Sequence, residues 1–133
     1  MRKAHAEHNE KACDFLYNNG NFHDWVVTTA FCSAIHFARY KIFPLEKYDP
    51  QEGKVIKYRS LDNYVNTHSS ASKFKKHKEL SKLVNEHIPQ ITGRYRALFD
   101  MCHTARYHDY NVTTSKAKLA REHLQEIKKE CLK

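Results

Sequence analysis

The stretch that decides the fold is Asp24-Trp25-Val26-Val27-Thr28-Thr29-Ala30-Phe31-Cys32-Ser33-Ala34-Ile35-His36-Phe37-Ala38-Arg39-Tyr40. At about 100° per residue its apolar side chains surround almost the whole helix, which predicts the most buried element of the protein. On this pattern we place Trp25 and Phe31 in the core. Pro44 ends the helix, because proline has no amide hydrogen to donate to the helix.

Further helices are predicted on both sides of this segment. The first runs from about Ala4 to Tyr17 and ends at Asn18-Asn19-Gly20-Asn21, because glycine and asparagine favour the left-handed conformation of a helix C-terminus. The stretch from Leu45 to Lys57 is predicted to be a loop, and no convincing alternating strand appears anywhere. The other predicted helices are Ser60 to Val65, a basic helix Lys73 to His87 capped by Ser72, a helix from Pro89 to about Arg106, and a last helix capped by Ser115.

The length and composition favour one folded domain. The chain has 133 residues, of which 41% are hydrophobic and 29% charged, with three glycines and three prolines. About 100–200 residues is the usual size of a domain, and a scarcity of breakers favours helices. We therefore expect residues 1–133 to form one all-α domain, an antiparallel helical bundle of four main helices with short extra helical segments.

Several classes of protein are disfavoured by features that the sequence lacks. No apolar run approaches the length of a membrane span, and the first residues lack the apolar core of a secretion signal, so we predict a cytoplasmic protein without membrane contact. The four cysteines have no zinc-type spacing, and the doubled Glu-x-x-His signature of di-iron bundles does not occur. We predict no metal and no cofactor, since a metal-binding bundle rests only on the ten histidines.

Positive charge is concentrated in one part of the chain. The net charge is +8, and the stretch from Lys54 to Lys82 holds eight basic and two acidic residues. Localised positive charge favours a polyanionic partner such as RNA, DNA or nucleotide phosphate, with a solubilising surface as an equal alternative. The candidate nucleic-acid-binding residues are Lys73, Lys75, Lys76, Lys78 and Lys82, which would contact phosphates without reading bases.

The sharpest local pattern lies on the predicted helix that ends near Tyr107. One polar stripe is formed by Arg96, Asp100, His103 and Tyr107, while Tyr95, Leu98, Cys102 and Ala105 mark the core side. Metal-free RNA cleavage needs a base for the ribose 2′-hydroxyl and a cation for the phosphate, roles that His103 and Arg96 could take. The alternative, which spacing alone favours, is a solvated face with an Asp100–His103 contact.

Two further polar residues are placed beside apolar surface. Arg106 lies at the edge of the apolar side of its helix, where a charge must find a partner or reach a cleft. His36 lies within the most apolar helix, where a histidine is more often a satisfied core residue than a catalyst. We predict that Arg106 and His36 form one polar pair or network inside the bundle, structural before it is catalytic.

The segments 24–37 and 95–107 resemble small bacterial and phage HEPN-like proteins. In these proteins an apolar DWxxxxAFYAAxH helix is followed by a YxxLxxxxxxARY helix, and the similarity spans roughly Ala4 to Ile127. The resemblance implies an all-α bundle that usually forms a homodimer.

Many HEPN proteins are metal-independent ribonucleases in which two copies form one cleft. Their signature is an arginine and a histidine separated by four to six residues, which Arg96 and His103 satisfy at the upper limit, although Ala97 stands where a polar residue is usual. Arg2 and His8 also match by count, at a chain start that is a poor place for catalysis.

Two functions remain open at this point. The first is a HEPN-like protein that binds or cleaves RNA in a toxin–antitoxin or phage-defence setting, with an antitoxin-like partner. In that enzyme His103 would be the general base, Arg96 the phosphate clamp, and Arg106 and His36 would line or support the cleft. The second is a non-catalytic dimeric module that binds a nucleotide or a partner protein.

Overall fold

The structure is a computed structural model that describes residues 2–68 and 73–133, with side chains for all of these except 68, 73 and 74. Its elements are α1 (Arg2–Asn19), α2 (His23–Ile42), β1 (Leu45–Asp49), β2 (Lys54–Tyr58), α3 (Leu61–His68), α4 (Lys73–His87), a 3-10 turn (Pro89–Ile91), α5 (Thr92–Tyr107) and α6 (Thr114–Cys131). The described ranges are predominantly helical, which confirms the predicted all-α bundle. None of the helices in these ranges is long and apolar enough to cross a membrane.

Helix α2 is the centre of the bundle. It packs extensively against α1, α5 and α6, and less extensively against α4. Small side chains at these contacts allow the helices to approach closely, and most of them are fully buried: Ala6, Ala30, Ala34, Ala38, Ala117 and Ala120. Burial on several sides explains why the α2 sequence is apolar around most of its circumference.

The directions of the helices follow from contacts between distant residues. Ser33 of α2 donates a hydrogen bond to the carbonyl of Ala6 at 2.7 Å, and the Cys13 thiol lies 3.5 Å from the carbonyl of Val26. Residue numbers therefore rise along α1 as they fall along α2, so the two helices are antiparallel. Helix α6 runs against α1 in the same way, because Lys128 contacts Glu10 and Arg121 contacts Asp14.

The segment that we predicted as a loop contains a short β-hairpin, so that prediction was wrong. Strands β1 and β2 pair antiparallel, from Leu45 opposite Tyr58 to Asp49 opposite Lys54. Gly53 in the turn has φ of +67°, a conformation that glycine adopts readily. Only the Leu45–Tyr58 end is buried. Because the rest of the hairpin is exposed or only half-buried, its strands lack the clear apolar alternation by which a strand is recognised.

The predicted helix ends are confirmed in two places and corrected in one. Gly20 follows α1 with φ of +83°, and the hydroxyl of Ser60 accepts a hydrogen bond from the amide of Asn63 at 3.1 Å. Helix α6 is capped by Thr113, which accepts from the amide of Lys116, and not by the predicted Ser115. The predicted cap Ser72 lies outside the described residues.

The two large aromatic residues predicted in the core have different positions. Phe31 is buried, and its ring lies 5.6 Å from the rings of Tyr95 and Phe99. Trp25 is 46% exposed, which contradicts the prediction. It lies near the start of α2, where its indole is covered on one side by the guanidinium of Arg106 at 5.5 Å. Helical periodicity assigns Trp25 to the core, but a cation can cover an aromatic face in place of core side chains.

We predict that Phe31→Ala lowers the free energy of unfolding by about 3–5 kcal/mol, the usual loss for a large buried aromatic side chain. Trp25→Ala is the matched control, with an expected loss of about 1 kcal/mol because half of its side chain is already exposed. Urea denaturation followed by circular dichroism measures both values. Equal losses for the two variants would contradict this placement of α2.

Candidate functional site

The polar stripe predicted on α5 is exposed as expected. Arg96, Asp100, His103 and Tyr107 all face solvent, whereas Tyr95, Leu98 and Ala105 are buried and Cys102 is half-buried. The Asp100–His103 contact of the alternative interpretation, a solvated face, does not form among the described residues. Among the residues that the structure describes, none of Arg96, Asp100 and His103 makes a hydrogen bond or an ion pair within the chain. The side chains of Arg96 and His103 are therefore accessible to solvent, but they are not paired with each other.

Aromatic rings surround His103. The Phe99 ring is nearly parallel to its imidazole at 6.4 Å, and the rings of Tyr107 and His108 lie 5.0 Å and 5.4 Å away. Phe99, His103 and Tyr107 are four residues apart, so they occupy successive turns of α5. This face of α5 offers imidazole and aromatic rings on which planar groups can stack.

The predicted pairing of His36 with Arg106 is wrong. Arg106 is exposed and lies over Trp25, whereas His36 lies eleven residues further along α2. At 1.5 Å per residue the separation along the helix is about 16 Å, too far for contact. Phe31 contacts Tyr95 and Phe99 whereas Trp25 contacts Arg106, so α2 and α5 run antiparallel and the end of α5 meets the start of α2. Arg106 therefore lies on a different part of the surface from His36.

His36 contacts the first helix instead. The guanidinium of Arg2 lies 3.4 Å from its Nδ1, and the His5 imidazole stacks on its ring at 3.7 Å between centroids. Burial lowers the pKa of His36 to about 4, together with the charges of His5, Arg2 and Arg39. At neutral pH the imidazole is therefore uncharged and can accept the Arg2 hydrogen bond. Its low basicity makes it a weak candidate for a general base near neutrality.

Two adjoining pockets flank Arg39, and we call them together the Arg39 cleft. The three-arginine pocket, of about 220 Å³, is lined by Arg2, Arg39, Tyr40, Phe43, Arg59, Ser60 and Leu61. The histidine pocket, of about 240 Å³, is lined by Ile35, His36, Arg39, Leu61, Lys76, His77 and Leu80. Both contain Arg39 and Leu61, so they adjoin. Within the described part of the chain, no acidic side chain lines either pocket.

The lysines of α4 have different surroundings. Lys75, Lys78 and Lys82 are exposed and spaced to lie on one face, opposite the buried Leu80, Leu83 and Val84. Lys82 lies 3.5 Å from Glu79. Lys76 points to the other side, where its ammonium lies 2.6 Å from Asp62 and its side chain lines the histidine pocket. The side chain of Lys73 lies outside the described residues.

His77 connects the Arg39 cleft with the α5 stripe. It lines the histidine pocket, and its ring lies 6.2 Å from that of Phe99, which stacks on His103. Residues from α2, α4 and α5 therefore form one continuous surface. Of the candidate residues from the sequence, His36, Lys76, Arg96 and His103 lie on it. Arg106 lies over Trp25, and three lysines face away from the histidine pocket: Lys75, Lys78 and Lys82.

Four cleft residues were missed by the sequence analysis. Arg39 had a signal, since it is a charged residue in the most apolar helix, one turn after His36. For His77 the only signal was its position within the lysine-rich helix. Arg2 and Arg59 had no signal that placed them beside α2, because they reach the cleft from α1 and from the loop between β2 and α3. No group of three or more histidine, cysteine, aspartate or glutamate residues suited to a metal ion occurs in the described part of the protein.

No protein-family model, curated protein or solved structure matches this chain. The resemblance to HEPN-like proteins therefore stays a prediction.

We predict that His36 makes the fold sensitive to acid. The unfolded histidine takes up a proton near pH 6.5 and the folded one near pH 4, so stability is complete above about pH 6.5 and falls as the pH drops towards 4. Uptake of one proton changes the free energy of unfolding by at most about 1.4 kcal/mol per pH unit. Solvent screening of the partly exposed ring reduces this change. His36→Gln keeps an acceptor for Arg2 and should lose less stability over this range.

Thermal unfolding of wild type and variant between pH 7 and about pH 4 measures the difference. His8→Gln, which changes an exposed histidine of α1, is the control. Parallel stability curves for wild type and His36→Gln would contradict the assigned environment of His36.

Proposed function

We propose that this protein binds RNA, with the sugar–phosphate backbone lying along the surface that joins the Arg39 cleft to the α5 stripe. The observation that carries the proposal is the position of His77 between the two. It makes one surface of side chains that come from α2, α4 and α5. A continuous track suits a chain of phosphates better than separate patches do.

Charge and ring chemistry both support this proposal. Lys76 lines the histidine pocket and Arg96 is exposed on the α5 stripe, so both can neutralise backbone phosphates. The rings of Phe99, His103 and Tyr107 offer faces for unpaired bases, as in proteins that bind single strands. Single-stranded RNA is therefore the favoured substrate class.

Cleavage of the bound RNA is the further function that the HEPN resemblance implies. Arg96 and His103 lie seven residues apart, about 10 Å along α5, and their side chains make no contact in the described residues, whereas in HEPN ribonucleases two copies form one cleft. A ribonuclease would need the second copy of a homodimer to complete the cleft. The homodimer, the antitoxin-like partner and the defence setting belong to this proposal.

The second candidate function is a non-catalytic binding module. The lack of any Arg96–His103 contact in the described residues favours it, as does the low basicity of His36. In this case the same surface holds RNA or a nucleotide without reacting with it. The two candidate functions differ in whether His103 acts as a general base or only provides a ring on which a base can stack.

We predict that Lys76→Gln with Arg96→Gln weakens binding of a short single-stranded RNA with a 5′-hydroxyl end. Each lost phosphate contact should reduce the salt slope by about 0.7, so the slope should flatten by about 1.4. Fluorescence anisotropy over a salt series measures this effect. Lys118→Gln with Lys129→Gln makes the same charge change at exposed positions of α6. Equal weakening by both pairs would reduce the effect to net charge and contradict the proposed surface.

If the protein cleaves RNA, we predict that His103→Ala lowers the rate about 10²–10⁴-fold, the usual contribution of a positioned general base. Products should end in a 2′,3′-cyclic phosphate and form with a chelator present. His108→Ala is a stringent control, because its ring lies 5.4 Å from His103. Loss of activity only in His103→Ala supports the enzyme; binding by the wild type with no cleavage supports the binding module.

A further inference from the structure

We propose that the three-arginine pocket is a binding site for a phosphate group with a free end, that is, inorganic phosphate or the phosphomonoester of a larger molecule. The ligand's oxygens would be held by Arg2, Arg39 and Arg59. This inference does not rest on RNA binding, because the same site would serve a free nucleotide.

In the part of the chain that the structure describes, the guanidinium of Arg39 lacks hydrogen-bond partners for two of its nitrogens. Its side chain is only 12% exposed, and Nε and Nη2 make no hydrogen bond with any described residue. The nearest carboxylate oxygen, Oδ2 of Asp62, lies 3.6 Å from Nη2, which is too long for a hydrogen bond. A buried cation with unmet donors is costly, and an anion in the pocket would satisfy them.

Asp62 cannot neutralise the pocket by itself. Its other oxygen, Oδ1, lies 2.6 Å from the ammonium of Lys76, and this contact holds the pKa of Asp62 below its usual value. The single carboxylate is therefore shared between Lys76 and Arg39. Arg2 and Arg59, which line the same pocket, add two further positive charges. The local balance of charge remains positive.

The lowered pKa of His36 is consistent with a positive electrostatic potential in this region. His36 lines the adjoining pocket, and both Arg2 and Arg39 add to burial in lowering its pKa. Two guanidinium groups and an uncharged imidazole converge on the same space. An anion there would be attracted by the arginines and would be near enough to be sensed by the imidazole.

The shape and lining of the pocket indicate the class of anion. A volume of about 220 Å³ is several times the roughly 30 Å³ that one water occupies, so a tetrahedral anion fits. Planar guanidinium groups bind phosphate oxygens in pairs, and three of them match the several oxygens and double charge of a terminal phosphate. Tyr40 and Phe43 also line the pocket and offer aromatic faces to the rest of a nucleotide.

The first experiment titrates the protein with inorganic phosphate at about pH 8, where the ion carries close to two negative charges, at constant ionic strength with chloride. The ring signals of His36 are followed by NMR. We expect saturable changes at His36 and a higher pKa for its imidazole, because the bound anion offsets the nearby arginines. Changes that are not saturable, or that chloride reproduces, would overturn the proposal.

Variants then test the arginines. Arg2→Gln and Arg59→Gln should each weaken phosphate binding about tenfold, through loss of a charge-assisted hydrogen bond. They are chosen because neither side chain is fully buried, whereas replacement of Arg39 risks the fold. Arg94→Gln, an exposed arginine of α5 beside His123, is the control. Binding that is unchanged in Arg2→Gln and Arg59→Gln would overturn the assignment.

The final arms separate the source of the phosphate and separate this site from RNA binding. Calorimetry compares a nucleoside 5′-monophosphate with its nucleoside, and an RNA with a 5′-phosphate against the same RNA with a 5′-hydroxyl. Preference for a phosphorylated form of either ligand supports the pocket and identifies the source. Phosphate binding without any RNA binding supports the pocket and refutes the proposed function. Equal binding of both RNAs, with no competition by phosphate or the nucleotide, overturns the pocket and leaves RNA binding intact.

Discussion

Packing around α2 is the constraint on which the rest of the structure depends. Helices α1, α5 and α6 cover this helix on several sides, and alanines at the contacts let them approach closely. A helix enclosed in this way has little surface on which to carry a charge. Arg39 and His36 lie on its remaining edge, and their polar groups must be satisfied in a partly buried place. The Arg39 cleft follows directly from this arrangement.

The cleft gathers positive charge from segments that are distant in the chain. Arg2 arrives from α1, Arg59 from the loop before α3, and Lys76 from α4, while Asp62 supplies one carboxylate. Bringing cations together costs free energy unless an anion or solvent compensates. The fold maintains this concentration beside two pockets. In our proposal, a phosphate-bearing ligand supplies the negative charge that compensates these cations.

Local patterns in the sequence were sufficient to predict the helices but not the cleft. The burial of Phe31 and the exposed stripe of α5 follow from helical periodicity, which is a property of neighbouring residues. Contacts such as Arg2–His36 depend on how α1 is aligned against α2. That alignment cannot be read from the periodicity of either helix alone. The same limit produced the wrong pairing of His36 with Arg106. The hairpin was missed for a different reason, since only one end of it is buried.

The central claim is that one surface, from the Arg39 cleft across His77 to His103, receives RNA. Chemical-shift mapping by NMR with a short single-stranded RNA tests it most directly, because every helix contributes signals to the same spectrum. The account predicts that the largest changes occur at His36, Arg39, His77, Phe99 and His103, with few changes on the face where α1 packs on α6. Changes confined to that α1–α6 face, at Glu10, Arg121 and Lys128, would contradict it.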